Sequence, residues 1–178
     1  MFRIRAPSAS GQGNTSDFSP ANFHLIRVQR RRDVELDKKD RLILQALQRD
    51  ARQSLSALGK RIGLSQPAIS ERVRKLEDAG VITGYGAHLD PRALGLRLQA
   101  IVRLRTTHAH IQRCVELFES LPEVVDAFRV TGEDCFILRC LIAVPEDLER
   151  VVDSLAAYGS VATSLVLSHP VSKGVPIC

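Results

Sequence analysis

Between Ser65 and Lys75 the chain gathers side chains suited to holding a polyanion rather than to breaking bonds. At 100° per residue, Ile69, Val73 and Leu76 fall on one side of a helix. Pro67, Ser70, Glu71, Arg74 and Lys75 fall on the other. Gln66 and Ser70 are of the type that hydrogen-bonds base edges, while Arg74 and Lys75, with Arg72 on the flank, suit phosphates. Ser65 in the cap position leaves backbone N–H groups of a helix N-terminus free for an anion. Glu71 opposes that attraction; it either accepts from a cytosine amino group or stays solvated. The same periodicity fits a three-helix bundle with a solvated charged face, so spacing alone leaves both readings open.

These residues need a scaffold, and the flanking sequence supplies one. Asp37, with Asp40 three residues on, caps a first helix whose stripe is Leu36, Ile43, Leu44, Leu47 and Ala51. Ser54 caps a second, with Leu55, Leu58 and Ile62 inward and Gly63 as its left-handed stop. Ser65 caps the third, Pro67 sits in its first turn, and Gly80 ends it. A tight turn at Gly63-Leu64 gives helices two and three a helix-turn-helix layout. Residues 81–89, loosely alternating with two glycines, predict a small hairpin or wing.

Asp90-Pro91 marks a change of pattern. Leu96, Leu98, Ala100, Val102 and Leu104 alternate as a half-buried strand does. Ile111, Cys114, Val115, Phe118 and Leu121 follow at helical spacing. Strands are predicted over 124–131 and 135–143, joined by Gly132-Glu133-Asp134. A helix opens at Pro145 and closes at Gly159, and a last strand covers 161–168. The order βαββαβ is that of a ferredoxin-like sandwich. The expected fold class is therefore α+β, with three segments: a disordered basic tail over 1–33, a winged helix-turn-helix over 34–90, and a ferredoxin-like domain over 91–178.

The bulk numbers agree with that division. Hydrophobic residues make up 44% and aromatics only 4%, so aliphatic side chains carry the core. The net charge of +5 is unevenly spread. Residues 1–33 hold six Lys/Arg against two acids, 34–90 ten against eight, and 91–178 nine against ten. The excess positive charge thus lies where an anionic partner would be met. Cys114, Cys135, Cys140 and Cys178 form no C-x-x-C pair, which points to reduced thiols and a cytoplasmic location rather than disulfides or structural zinc. No apolar run is long enough to span a membrane. Residues 1–33 have the Arg- and Ser-containing look of a transit peptide, though a basic arm, or extra sequence from an early start codon, is the preferred reading. His108-x-His110-x-x-x-Cys114 has metal-ligand spacing, but Cys114 lies on an apolar stripe and both His in a connection, so no metal is assigned. G-x-S-x-G, Walker and H-E-x-x-H patterns are absent from the sequence, and no catalytic residue or cofactor is assigned.

Four blocks in order carry a family resemblance: Leu36-Asp37-x-x-Asp40; Leu58-x-x-Arg61-Ile62-Gly63-Leu64-Ser65; Arg72-Val73-x-x-Leu76-Glu77-x-x-Gly80-Val81-Ile82; and Gly84-Tyr85-x-x-x-Leu89-Asp90-Pro91-x-x-Leu94-Gly95. From about Val34 to Val171 the chain resembles the Lrp/AsnC, or feast/famine, regulators of amino-acid metabolism. The resemblance implies a DNA-binding transcription regulator, not an enzyme. Its implied partners are double-stranded DNA, a small amino-acid effector and further copies of itself, as a homodimer or a higher oligomer such as an octamer. It also implies an effector site at the subunit interface near the loop between the second and third strands. Here that places Gly132, Glu133 and Asp134, with Thr163 and Ser164 of the last strand, as effector contacts; Cys135 stands where the family often has Asp. The alternative is an amino-acid-binding oligomer without an active DNA target.

Overall fold

A computed structural model of the chain describes residues 34–177. The segment expected to be a disordered tail, 1–33, and Cys178 lie outside the described residues. Order begins with three helices, α1 (Lys38–Arg49), α2 (Leu55–Ile62) and α3 (Gln66–Asp78). Their stops and starts follow local chemistry. Asp37 and Asp40 form a reciprocal capping box, and the Ser54 side chain accepts from the Ala57 N–H. Gly63 ends α2 with φ 72° and ψ 46°, a left-handed conformation open to a residue without Cβ. Ile43, Leu58 and Ile69 are fully buried at the centre of the bundle, one from each helix.

The predicted hairpin does not form in the single chain. Residues 81–90 run without ladder pairing, and Tyr85 and Leu89 are exposed. What fixes the start of this arm is the end of α3: the Val81 and Ile82 N–H groups both donate to the Leu76 carbonyl. Alternation with two glycines does not specify a hairpin, because beyond Val81 and Ile82, which pack on the helical core, residues 83–90 have no buried face to hold a register.

Beyond the arm come β1 (Leu98–Thr106), α4 (Ile111–Ser120), β2 (Val124–Arg129), β3 (Phe136–Ile142), α5 (Pro145–Ala156) and β4 (Gly159–Leu165). The sheet is four-stranded and antiparallel in the order β2-β3-β1-β4, the ferredoxin-like arrangement. Strict alternation explains how it packs. Ala100, Val102 and Leu104 of β1, and Phe136, Leu138, Cys140 and Ile142 of β3, are buried with Cys114 and Phe118 of α4 and Val151 and Leu155 of α5. Phe118 meets Phe136 edge to face at a centroid distance of 5.0 Å. The residues between them, Ile101, Arg103, Ile137, Arg139 and Leu141, line the other face, which no helix of the described residues covers.

Gly159 corrects the sequence reading. It does not close α5, whose C-cap is Ala157, but begins β4. A Cβ there would lie 2.0 Å from the Arg105 carbonyl oxygen, so the close approach of β4 to β1 requires glycine. Gly159→Ala is expected to cost about 3 kcal/mol, read as a lower denaturant midpoint at unchanged m.

A second expectation concerns acid. The Asp37 carboxyl is held below its ordinary value of 3.8, first by the Asp40 N–H and then by Arg72. The unfolded chain therefore takes up the proton before the folded one does. The stabilisation is present above the ordinary value and is lost as pH falls through the lower folded one. Asp37→Asn is expected to flatten the acid limb of the stability curve below about pH 4, measured by urea midpoints against pH.

Candidate nucleic-acid interface and effector site

On α3 the buried stripe is Ile69, Val73 and Leu76, which turns the opposite side to solvent. Gln66, Pro67, Glu71, Arg74 and Lys75 are all exposed there. Ser65 holds the N-cap position with extended backbone, but its hydroxyl makes no capping bond. The first-turn N–H groups are thus left without the side-chain partner they have in α1 and α2. Pro67 sits in the first turn, as the sequence predicts.

Ser70 is half-buried, and its Oγ donates to the Gln66 carbonyl at 3.0 Å. Its proton is committed to its own helix, leaving the oxygen as an acceptor. The Gln66 side chain makes no such tie among the described residues, and it stands at the exposed leading end.

The basic residues divide into two kinds. Arg72 does not reach outward. Its guanidinium bridges Asp37 at 2.6 Å and Asp40 at 2.7 Å, bracing α3 against the capping box of α1. The expectation that it flanks a phosphate is replaced by this structural role, and the acidic pair Asp37-x-x-Asp40 was the signal that could have shown it. Arg74 and Lys75 remain on the outer face. Glu71 accepts from Arg74 at 3.0 Å and lies 3.6 Å from Lys75, and Asp78 lies 3.4 Å from Arg74. Hydrogen bonds from Arg74 first, and its charge next, hold the Glu71 carboxyl below its ordinary value. These pairs are exposed and exchange readily for other anions.

One further contact escaped the sequence reading. The Tyr85 hydroxyl donates to Glu77 Oε1 at 2.7 Å, pinning the arm to α3. Burial of the hydroxyl end, with Glu77 adding to it, pushes this phenol up to about 12.

In the sheet domain the expected effector residues fall into two groups. Gly132 has φ 109°, a value that favours glycine, in an exposed turn with Thr131 and Glu133. Asp134 is half-buried, with Arg103 Nη1 3.9 Å from its carboxylate. The Cys135 N–H donates to the Leu104 carbonyl at 2.9 Å, which sets this loop at the C-terminal end of β1. Thr163 and Ser164, both exposed, pair instead with Val102 and Ile101 on the far side of β1. Two strand spacings, roughly 10 Å, separate the groups across the sheet. A single chain does not bring them together.

The candidate metal trio is likewise dispersed. Cys114 is fully buried in the core, where burial pushes its thiol up. His110 places Nδ1 3.4 Å from the Tyr158 carbonyl and its ring edge-on to Tyr158. Among the described residues no group of three His, Cys, Asp or Glu is placed to hold a metal ion. Nor is any helix there long and apolar enough to cross a membrane.

A helix presenting an amide and two cations, carried ahead of a separate sheet domain, has the layout of a DNA-binding protein with a second module behind it. Family comparison agrees on both parts. Residues 36–83 match the winged helix-turn-helix DNA-binding model, and 99–176 match the Lrp/AsnC ligand-binding domain. The chain belongs to the Lrp/AsnC family of transcriptional regulators, which are not enzymes. It is similar to the HTH-type transcriptional regulator LrpC of Bacillus subtilis, 31% identical over 76% of this chain and 94% of that one. It is 40% identical to the leucine-responsive regulatory protein of Rhizobium meliloti, over 73% and 86% of the two chains. Among solved structures, B. subtilis LrpC superposes with a TM-score of 0.75, at 31% identity, over 79% of this chain and all of that one. A Neisseria meningitidis transcriptional regulator, solved as a complex with L-Met, matches with a TM-score of 0.75 and 30% identity over 80% and 97%.

Proposed function

We propose that the chain is a cytoplasmic, sequence-specific regulator of amino-acid metabolism whose DNA occupancy is set by an amino-acid effector. The observation that carries this reading is the exposed outer face of α3, with Gln66 at its leading end and Arg74 and Lys75 behind it. Gln66, assisted by Ser70 as acceptor, reads base edges; Ser65, Pro67 and the free first-turn N–H groups seat the helix against the backbone. Arg74 and Lys75 leave Glu71 for phosphates. The DNA-binding part spans 34–90 and the effector part 91–178.

A second copy completes the protein. Ile101, Ile137 and Leu141 share the uncovered sheet face with Phe128, which pairs with Ile137 and is 54% exposed. These apolar side chains, set among the ion-paired Arg103 and Arg139, call for a partner, and packing two such faces gives a homodimer, from which a higher oligomer such as an octamer is built. The dimer sets two α3 helices in successive major grooves, roughly 34 Å apart. It also supplies what one chain lacks at the effector site: the 132–134 loop of one protomer and Thr163-Ser164 of another converge at the interface. The L-Met complex of the Neisseria relative and the leucine response in the name of the Rhizobium relative support an amino-acid ligand. Binding favours one assembly over another and so changes how many heads engage DNA at once.

The carboxylates of Glu71 and Asp78 beside Arg74 favour one alternative, an amino-acid-binding oligomer with no active DNA target. Sequencing genomic fragments retained by the full chain, with and without pooled amino acids, separates the two. An enriched inverted repeat whose recovery changes with amino acids is the expected result. Recovery of no motif under either condition would leave the alternative.

A further inference from the structure

The ligand-binding sheet does not end at β4. After Leu165 the chain continues, with the Val166 N–H donating to the Gln99 carbonyl at 2.8 Å, and returns to the DNA-binding helices. There Gln48 Nε2 of α1 donates to the Val175 carbonyl at 3.0 Å. Gly174 lies against the end of the same side chain: a Cβ there would meet Gln48 Oε1 at 2.0 Å unless that amide turned aside. Between α1, the arm and the segment 172–177 is a cavity of about 770 Å³, lined by Leu44, Leu47, Val81, Val175 and Ile177 among others.

We infer that residues 172–177 act as a strap that fixes the DNA-binding head relative to the sheet. The head is otherwise joined to the sheet by the arm and its continuation, 81–97, of which residues 81–90 make no ladder bonds. Such a connection lets a head swing. The strap adds a second attachment, at the last turn of α1. Its hold is thin: Val175 is 76% exposed and Ile177 is only half-buried. A contact with so little buried surface opens and closes easily, the property a switch requires. Its root lies in the strand that carries Thr163 and Ser164. On the proposed reading of those residues as effector contacts, a ligand that shifts β4 pulls on the strap and so alters the freedom of the head.

A head held in place reads two half-sites at one spacing; a released head tolerates several. The full-length dimer, a chain lacking 172–178, and the Gln48→Ala variant are to be compared by amide hydrogen exchange and by binding to duplexes whose half-sites are moved apart by half a helical turn. Exchange in residues 44–51 and 81–88 is expected to quicken at least tenfold on truncation. Preference for the native spacing, expected to be tenfold or more in the full chain, is expected to fall below threefold. Gln48→Ala, which keeps the backbone intact, should move both readings in the same direction. Unchanged exchange and unchanged spacing preference in the truncated chain would overturn the strap. If the full chain shows no response to any amino acid while truncation still alters both readings, the effector reading fails and the strap stands.

Discussion

Ile137→Arg is expected to leave the chain folded but monomeric, and to weaken binding to a two-fold operator by on the order of 10²–10⁴. Ile137 sits on the uncovered sheet face, between Arg103 on β1 and Phe128 on β2. In one chain a cation there is solvated and costs little. Pressed against a second sheet, directly opposite Arg103, it would be a further and unpaired charge, which costs several kcal/mol. The loss on DNA follows from geometry rather than from α3, because the second head no longer acts at the effective concentration set by the first. Sedimentation and binding to a single half-site make the check. A monomer with normal half-site affinity is the expected pair of results; a dimer at micromolar concentration would place the interface elsewhere.

Replacing both Arg74 and Lys75 with Ala should have the second largest effect, and it should appear as a change of slope. Each phosphate contact contributes about −0.9 to the dependence of log K on log salt. Two contacts per head in a dimer therefore predict a slope shallower by roughly 3–4. Binding to random duplex should weaken as much as binding to the operator, since phosphates carry no sequence. Glu71 sharpens the expectation. It holds both cations in the absence of DNA, so Glu71→Gln should strengthen non-specific binding where the double Ala variant weakens it. Slopes unchanged in the double variant would remove Arg74 and Lys75 from the phosphates.

Much of the scaffold could be read from the residues because it is written in local chemistry. The Asp37–Asp40 box, the Ser54 cap and the Gly63 stop each depend on neighbours a few positions away. Strict alternation in β1 set its inward face as well. What escaped depends on contacts distant in sequence. Arg72 looked like another cation on a basic face, and only the packing of α3 on α1 gives it to Asp37 and Asp40, 35 and 32 residues away. Gly159 looked like a helix stop because glycine usually is one there, yet it answers to the Arg105 carbonyl across the sheet. The hairpin expected over 81–89 rested on alternation alone, and alternation without a surface to bury does not fix a ladder.

The effector site shows a different limit. Gly132 and Thr163 were chosen by resemblance, and the sheet places them on opposite sides of β1. On the proposed reading their meeting is a property of an assembly, which no single chain's periodicity encodes. The strap adds a route by which that assembly reaches the head.

The central claim is that the leading half of α3 reads base edges. The direct measurement is fluorescence anisotropy of the full chain at one salt concentration, on its enriched operator and on a scrambled duplex, for wild type and Gln66→Ala. Wild type should favour the operator by roughly a thousandfold or more. Gln66→Ala should forfeit about 1–3 kcal/mol on the operator alone. Equal affinity of wild type for the two duplexes would contradict the account.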